Sequence, residues 1–419
     1  MRTVPSRPGT HQERRRAAHV EVSRGRGARP LQNDVPRRRG SGMKRLAIFL
    51  DGTWNTLNNN TNVWRLNSLC DPAATGQMVY YSQGVGTRIG EKVRGGVGGY
   101  GLDNEIVDAY TWLVQAYEDG DEIFIFGFSR GAYAARSLSG LISKCGVLRP
   151  GAPLSIEQLY ARYRRRTEPT IRKLLAADPM GLAGIEERWL VAHCAPADVK
   201  FMGIWDTVGS VGNPLSSLRT KVEKYRFLDT HLYRSNIHAF HALALDEQRK
   251  AFEPTFWTQT ADNDKVATCP RRGLDAVEQR WFVGAHANVG GGYPSDILAQ
   301  APLKWIMDKA ARHGLAFRPG FSMDAPDPKA DIADSYATFG PRLLRLFTPR
   351  FLRPVGSPPA VGSASTTWRI NETIDGSVFA RWRDNPQYRP PNLADWIKRH
   401  NVDPAGVIGA LKAEDAAPV

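Results

Sequence analysis

Residues 122–136 read Glu-Ile-Phe-Ile-Phe-Gly-Phe-Ser-Arg-Gly-Ala-Tyr-Ala-Ala-Arg, and this stretch decides the fold. The apolar run at its start predicts a strand buried on both faces, and the small residues after Gly131 predict a helix. Ser129 lies between them, with Gly127 and Gly131 two positions to either side. In a sharp turn from strand to helix, side chains at those flanking positions would collide with neighbouring backbone. A serine that merely capped the helix would leave both glycines without a purpose. The pattern therefore predicts a nucleophile elbow, with Ser129 as the nucleophile.

Strands and helices alternate around this turn. The apolar run 44–50 ends at Asp51-Gly52-Thr53, which predicts a buried strand that enters a turn. Apolar residues recur at helical spacing between Asp103 and Tyr117, and a glycine ends that helix. This alternation predicts an α/β fold, with a mostly parallel central sheet covered by helices on both faces and with helical insertions. One such insertion is the strongly basic stretch 155–176.

A serine nucleophile needs a general base and an acid that orients this base. α/β-Hydrolases supply these groups in the chain order Ser, Asp or Glu, His, each just past the end of a strand. Asp206 follows a predicted strand at 199–205, and His286 follows one at 280–285. We therefore predict an α/β-hydrolase fold with the triad Ser129, Asp206 and His286. The alternative is a turn-forming aspartate and a histidine that is satisfied in the core.

Other acids and histidines fit these positions less well. Asp229 and Asp246 are interpreted as parts of helical segments without a preceding strand. The segment between the two predicted strands, which is interpreted as mainly helical, also contains His231, His238 and His241. His238 and His241 are three residues apart, but no further ligand completes a metal site at convincing spacing. We therefore predict neither a metal ion nor a cofactor.

Acyl transfer also needs N–H groups that stabilise the developing oxyanion. The backbone N–H of Arg130, directly after the nucleophile, is the expected first donor. For the second donor the sequence offers Gly52 or Thr53, after the first strand. Asp51 permits another interpretation, because phosphatases with an aspartyl nucleophile also begin with an apolar strand that ends in aspartate. Those enzymes need a second aspartate two positions on, where this chain has Thr53.

The net charge of +14 is concentrated in residues 1–42. This segment carries +8 of it, is rich in Arg, Gly and Pro, and lacks the apolar core of a signal peptide, so it is predicted to be disordered. Met43 stands directly before the first strand. Residues 1–42 are therefore interpreted either as a basic arm of the protein or as the result of a start codon assigned too far upstream. The charge is therefore weak support for nucleic acid as a partner of the remaining chain.

The predicted organisation is an Arg-rich tail at 1–42, one α/β-hydrolase domain at 43–400 and a C-terminal tail at 401–419. No apolar run approaches the roughly 20 residues needed to cross a bilayer, so we expect a cytoplasmic protein. The four cysteines lack the spacing of a zinc site or of a dense disulfide framework. They are Cys70, Cys145, Cys194 and Cys269.

Five motifs together resemble a known family. They are DGTWN at 51–55, GVGT at 84–87, GFSRGAY at 127–133, HALALDE at 241–247 and HANVGGGY at 286–293. Over about residues 43–393 the chain is similar to an α/β-hydrolase family, long of unknown function, that includes the first class of type VI secretion lipase effectors. The resemblance implies the triad already named, cleavage of fatty-acyl esters of glycerophospholipids, and export by type VI secretion.

The chain departs from this family in two places. The family often reads His-Ser-Asp-Val-Gly-Gly-Gly, whereas this chain has Ala287 and Asn288, and the uncharged Asn288 leaves Asp206 to orient His286. We also expect the chain to lack the long C-terminal extension that large effectors of this family use for membrane contact. Any contact with an anionic membrane would then come from 343–353, which mixes Leu and Phe with arginines. The favoured interpretation of this stretch is instead a helix packed on the hydrolase body, with its arginines in solvent.

The sequence thus predicts a serine hydrolase that cleaves a carboxylic ester, lipid-like in character, through an acyl-enzyme on Ser129. Two other functions stay open: an amidase or peptidase with the same triad, and a binding module that keeps the fold without activity.

Overall fold

The computed structural model describes residues 42–52, 60–84, 100–165, 167–176, 184–208, 232–261, 272–295, 297–325, 327–337, 349–356 and 366–413. Nearly all of the predicted Arg-rich tail lies outside these residues, as do Thr53 and most of the predicted membrane-contact segment 343–353. All described residues belong to one compact unit, Val35–Val419. No described helix is long and apolar enough to cross a membrane.

The strands follow one another as β1 (Arg45–Leu50), β2 (Gln77–Ser82), β3 (Glu122–Phe128), β4 (Val147–Leu148), β5 (Cys194–Ala195), β6 (Val199–Trp205), β7 (Asn236–Ala244), β8 (Thr258–Ala261), β9 (Val277–Phe282), β10 (Thr366–Arg369), β11 (Glu372–Ile374) and β12 (Leu411–Lys412). Eight of these described strands form the central sheet, in the order β2-β1-β3-β6-β7-β9-β11-β12. All neighbours in it are parallel except β11 and β12. The predicted mostly parallel sheet is confirmed.

The helices of the described chain are α1 (Asn62–Leu69), α2 (Tyr100–Ala116), α3 (Arg130–Cys145), α4 (Ile156–Arg164), α5 (Ile171–Ala176), α6 (Ile185–His193), α7 (His286–Gly290), α8 (Ile297–Arg312), α9 (Gly376–Asp384) and α10 (Pro391–His400). Helices α1 and α8 pack on one face of the sheet, and α2, α3 and α4 cover the other. Because both faces are buried, the central strands are apolar on both sides. This is the predicted α/β-hydrolase fold.

The middle of the sheet differs from the prediction. Between β6 and β9 the sequence predicted mainly helical segments, whereas β7 lies there and pairs with both strands. His238 and His241 therefore lie on a strand, and Asp246 does have a strand before it. Alanine favours helices, and histidines three apart suggest helical spacing, but pairing on both edges of this segment overrides these local preferences.

The C-terminal boundary also differs from the prediction. The sequence placed a tail at 401–419, but within it Leu411–Lys412 form β12 and extend the central sheet. Ala413 is fully buried, and its N–H donates to the carbonyl oxygen of Glu372. The folded domain therefore includes residues at least as far as Ala413.

The chain reverses direction across the sheet next to β1. β2 lies on one side of β1 and β3 on the other, so the connections leave β1 and β3 toward opposite faces. In open α/β sheets, ligands bind at the carboxyl ends of the strands where the strand order reverses in this way. Asp51 follows β1 and Ser129 follows β3. The fold therefore places both residues at the position where ligands bind in sheets of this kind.

Candidate active site

Ser129 occupies a strained turn between β3 and α3. Its backbone has φ 58° and ψ −117°, a conformation that L-residues rarely adopt outside tight functional turns. The turn is held because the Ser129 N–H donates to the carbonyl oxygen of Trp205 at 3.0 Å. A Cβ at Gly127 would lie 2.5 Å from the carbonyl oxygen of Gly131, and one at Gly131 would overlap the backbone at Leu50. Only glycine fits at either position.

The candidate triad residues meet at the carboxyl edge of the sheet. His286 Nε2 lies 2.8 Å from Ser129 Oγ, and His286 Nδ1 lies 2.5 Å from Asp206 Oδ2. Ser129 follows β3, Asp206 follows β6, and His286 opens α7 shortly after β9. The structure thus brings together three residues that are 77 and 80 positions apart along the chain. The Phe128 and Phe252 rings lie 4.7 and 4.9 Å from the imidazole.

Asp206 is completely buried and has a positive φ of 41°. Its Oδ1 accepts the backbone N–H of Ala244 at 3.0 Å, and its Oδ2 faces His286. Burial by itself would raise the pKa of this carboxyl group. The charges and hydrogen bonds of Arg353 and His286 outweigh burial and hold the pKa of Asp206 well below its usual range. Asp206 is therefore ionised throughout the neutral range.

Arg353 contacts Asp206 directly, which the sequence did not predict. The Arg353 side chain is fully buried and its two terminal nitrogens bind the two carboxylate oxygens at 2.6 and 3.0 Å. Both interpretations of 343–353 are wrong for this residue, since it faces neither a membrane nor solvent. The sequence carried no signal for the contact, because a buried arginine and a surface arginine look the same without their partners.

Two further acids lie behind His286, in the segment after β7. Asp246 Oδ2 accepts the Gly284 N–H at 2.7 Å, and burial raises the pKa of Asp246 to about 6. Glu247 is completely buried and its Oε2 accepts the His286 N–H at 3.2 Å. Burial raises its pKa, but the paired guanidinium of Arg249, with Arg353 and His286 nearby, lowers it to about 2. Glu247 thus anchors the backbone of the candidate base.

Glu247 is expected to make the protein sensitive to acid. Its pKa in the folded state lies below the usual value of 4.5, so its stabilisation is present above about pH 4.5 and is lost as pH falls toward 2. The shift corresponds to on the order of 3 kcal/mol. A Glu247→Gln variant should therefore be less stable at pH 7 and should depend less on pH between 4.5 and 2. Urea unfolding of both proteins at several pH values measures this.

A surface ion pair provides the control for this prediction. Glu253 makes the same kind of bond with Lys250, but about half of its side chain is exposed. Glu253→Gln should change the free energy of unfolding by less than about 1 kcal/mol at any of these pH values. Equal effects of the two substitutions would mean that the burial of Glu247 does not increase its contribution to the free energy of unfolding.

The candidate oxyanion donors differ in their surroundings. Arg130 is the first residue of α3, so its backbone N–H has no partner within the helix. The Gly52 N–H instead donates to its own neighbour, Asp51 Oδ1, at 2.6 Å. Asp51 Oδ2 accepts hydrogen bonds from Thr61 and Tyr81, so this acid ties the loop after β1 to α1 and β2. Gly52 is therefore not free as a donor in this arrangement, and Thr53 lies outside the described residues.

The histidines interpreted as a weak metal candidate point to different surroundings. The His238 ring stacks on that of His313 with centroids 3.6 Å apart, whereas His241 Nε2 accepts the Thr207 N–H. In the described ranges, no group of three or more His, Cys, Asp or Glu side chains could hold a metal ion. Asp229, His231 and Cys269 lie outside those ranges, and the described cysteines are buried and free.

Comparison with known families identifies residues 44–309 with the catalytic domain of the Tle1-like phospholipase effectors of the type VI secretion system. This match spans well over half of the chain and contains all three candidate triad residues. The chain belongs to this family. The family resemblance inferred from the five motifs is confirmed, and Arg353 lies beyond the matched residues.

Individual relatives of this Tle1-like chain are distant. An uncharacterised Saccharomyces cerevisiae protein, YEL023C, is 23% identical over 439 residues, which cover 72% of this chain and 62% of the yeast protein. The crystal structure of an uncharacterised Pseudomonas aeruginosa protein is 17% identical, with a TM-score of 0.43, and covers 66% of this chain and 47% of the other. The Tle1 effector bound to the VgrG spike is 17% identical, with a TM-score of 0.36, and covers 65% and 56%. The chain thus spans less than two thirds of the length of these proteins.

Asn288 stands where the family often has aspartate, and its role is visible in the structure. Its Oδ1 accepts the backbone N–H groups of Ala285 and Ala333, both at 3.1 Å. The side chain therefore closes the turn that leads into α7 and ties it to a distant segment. Asparagine accepts both of these bonds without adding charge beside His286.

Proposed function

We propose that this Tle1-like chain is a serine hydrolase that cleaves a carboxylic ester through an acyl-enzyme on Ser129. The observation that carries the proposal is the continuous chain of contacts from Ser129 Oγ through His286 to Asp206, at 2.8 and 2.5 Å. These are hydrogen-bond distances of the kind that activate a serine nucleophile. The strained Ser129 backbone, which exposes the hydroxyl at the switch point of the sheet, supports the same function.

The proposed reaction has two steps. His286 Nε2 takes the proton of Ser129 while Oγ attacks the ester carbonyl carbon, and the backbone N–H of Arg130 stabilises the oxyanion. His286 then gives the proton to the departing alcohol, which leaves an acyl group on Ser129. Water attacks this acyl group with His286 again as base, and His286 then returns the proton to Ser129 Oγ as the bond between Oγ and the acyl carbon breaks and the fatty acid is released. Asp206 holds the imidazole in the tautomer that presents Nε2 as the acceptor.

For the substrate we propose the acyl ester of a glycerophospholipid. Membership in a family of phospholipase effectors supports this class, and it also supports export by type VI secretion. Small acyl esters and amides are the alternative substrates for the same three residues. Non-catalytic binding by a protein with this fold would require no proton transfer at Ser129.

Covalent labelling tests the proposal. We expect a fluorophosphonate probe to label the protein at Ser129, because the hydroxyl is activated by His286, and we expect labelling to vanish in Ser129→Ala. Ser137→Ala is the matched control. This buried serine lies about two helical turns further along α3 and donates to the Tyr133 carbonyl oxygen, so labelling should persist. Peptide mapping by mass spectrometry locates the adduct.

A substrate panel then identifies the bond. Wild type, Ser129→Ala and Ser137→Ala are incubated with short acyl esters, long acyl esters, phospholipids in mixed micelles and the corresponding amides. Release of fatty acid from phospholipid by wild type and Ser137→Ala alone is the expected result. Turnover of amides without turnover of esters would mean that the enzyme cleaves an amide bond instead of an ester bond. Absence of both labelling and turnover would reject the proposal.

A further inference from the structure

The buried contact between Arg353 and Asp206 assigns a role to a residue outside the family match. One terminal nitrogen binds Asp206 Oδ1 at 2.6 Å and the Ala244 carbonyl oxygen at 2.7 Å. The other binds Asp206 Oδ2 at 3.0 Å and the carbonyl oxygen of Phe252. The planar guanidinium thus bridges both oxygens of the acid and fixes the plane of the carboxylate.

The segment that carries Arg353 is itself held in place. Asn392 on α10 donates to the carbonyl oxygens of both Arg353 and Leu245, at 3.0 and 3.1 Å. The next carbonyl oxygen, that of Pro354, accepts a bond from Arg369 at 2.7 Å. The Gly356 N–H donates to Glu372 at 2.7 Å. Because these partners belong to α10 and to the C-terminal strands, residues beyond the matched domain position the guanidinium.

Each oxygen of Asp206 has a defined set of donors. Oδ1 receives Arg353 and the Ala244 N–H, while Oδ2 receives Arg353 and His286 Nδ1. A carboxylate with only the imidazole and one backbone N–H could rotate about its χ2 angle, a broad torsion for aspartate. The two terminal nitrogens of Arg353, each bonded to one carboxylate oxygen, prevent this rotation, so Oδ2 stays aligned with His286.

The guanidinium also offsets the charge of the acid. Several other ionisable groups face this cluster: Glu247 and His241 are balanced or neutral, whereas Asp246, with a pKa of about 6, is mostly ionised at neutral pH. Glu247 is paired with Arg249, and burial beside the charge of Arg136 lowers the pKa of His241 to about 3, so that it is uncharged at neutral pH. Asp246 is bonded to the Gly284 N–H and to Tyr388. Arg353 is thus the cation that contacts the carboxylate itself.

We propose that Arg353 is a positioning residue of this active site: it locks the Asp206 carboxylate against His286 and tempers the negative charge that the imidazole experiences. The inference rests on the proposed function of the triad. A cation close to an imidazole disfavours the protonated form of the ring, so removing Arg353 favours that form. Two variants separate the effect of positioning from the effect of charge. Lysine at position 353 keeps the positive charge but cannot bind both carboxylate oxygens with two parallel N–H groups, and methionine keeps neither property.

The test compares Arg353→Met, Arg353→Lys and a matched control, Arg162→Met. Arg162 is equally buried and is paired with Glu168 at 2.7 Å, but it lies on α4, remote from the triad. For Arg353→Met we expect kcat to fall about 10- to 100-fold. This is the loss of activity that is typical when a residue that orients a metal-bound histidine is removed, and we expect a similar loss for a residue that orients the partner of His286. We also expect the acid midpoint of the kcat/KM profile to rise by about one pH unit. Arg353→Lys should lower kcat and leave the midpoint near that of wild type.

Arg162→Met should lower thermal stability without moving the midpoint. A wild-type midpoint and kcat in Arg353→Met would overturn the inference, as would an equal shift in Arg162→Met. An inactive wild type would instead reject the proposed function. In that case the His286 ring is titrated by NMR in wild type, Arg353→Lys and Arg353→Met. This experiment needs no substrate, so it still decides whether the guanidinium acts on the imidazole. Unchanged titration in a folded Arg353→Met variant would also overturn the inference.

Discussion

Replacing Asp206 by asparagine is expected to lower kcat by about ten-thousand-fold and to change KM little. An amide can donate as well as accept, so it no longer selects the tautomer in which His286 Nε2 accepts the Ser129 proton. It also cannot stabilise the imidazolium that forms when the proton is transferred. Steady-state kinetics on the ester identified by the substrate panel measure the loss.

The same substitution should weaken the fold. Arg353 is completely buried and would then face a neutral amide, which leaves its charge without a counter-ion. Removing one partner of a buried ion pair typically costs about 3 to 5 kcal/mol. We therefore expect a lower urea midpoint in Asp206→Asn, and activity is compared at a temperature where both proteins are folded.

Asp246→Asn is the control for this prediction. Asp246 is another acid of the described chain, partly buried, and it follows β7 as Asp206 follows β6. It bonds the Gly284 N–H and the Tyr388 hydroxyl group but makes no contact with the imidazole ring. We expect a loss of less than about tenfold, because the residue takes no part in proton transfer. A larger loss in Asp246→Asn than in Asp206→Asn would reverse the assignment of the acid.

The sequence predicted the strands that are uniformly apolar and missed or displaced those that are not. β1, β3 and β6 are buried on both faces, and this shows directly in their residues. The prediction for β9 began three residues late, because Glu278 and Gln279 look like surface residues. In the structure Glu278 is paired with Arg280 and Lys309, and Gln279 bonds Trp257. Lys309 and Trp257 are 31 and 22 residues away from their partners, and contacts at such distances along the chain cannot be inferred from a local pattern.

The candidate site shows the same division. Ser129, Asp206 and His286 each stand near the end of a strand, and position along the chain is a local property, so all three could be named in advance. Arg353 reaches Asp206 across 147 residues from a segment without helix or strand. Its neighbours Leu352 and Phe351 suggested an amphipathic surface element. No pattern of hydrophobicity records a contact that depends on how a distant loop returns to the sheet.

Gly131→Ala is expected to lose most of the activity and more than about 4 kcal/mol of stability. The added methyl group would overlap the carbonyl of Leu50 and would lie 2.5 Å from the Asp51 carbonyl oxygen. These obstacles are backbone atoms at the carboxyl end of β1, so no side-chain rotation can relieve them. Either α3 moves away from β1, which displaces Ser129 from His286, or the domain fails to fold.

The matched control for Gly131→Ala is Gly140→Ala, on the same helix. There a Cβ would lie 3.0 Å from the ring of Tyr163, a side chain that can shift slightly. The gain in helix propensity of about 1 kcal/mol offsets this adjustment, so stability should change little. Urea unfolding and fluorophosphonate labelling of the two variants are compared with wild type. If Gly131→Ala is as stable and as rapidly labelled as Gly140→Ala, close packing of α3 against β1 does not set the geometry of the Ser129 turn.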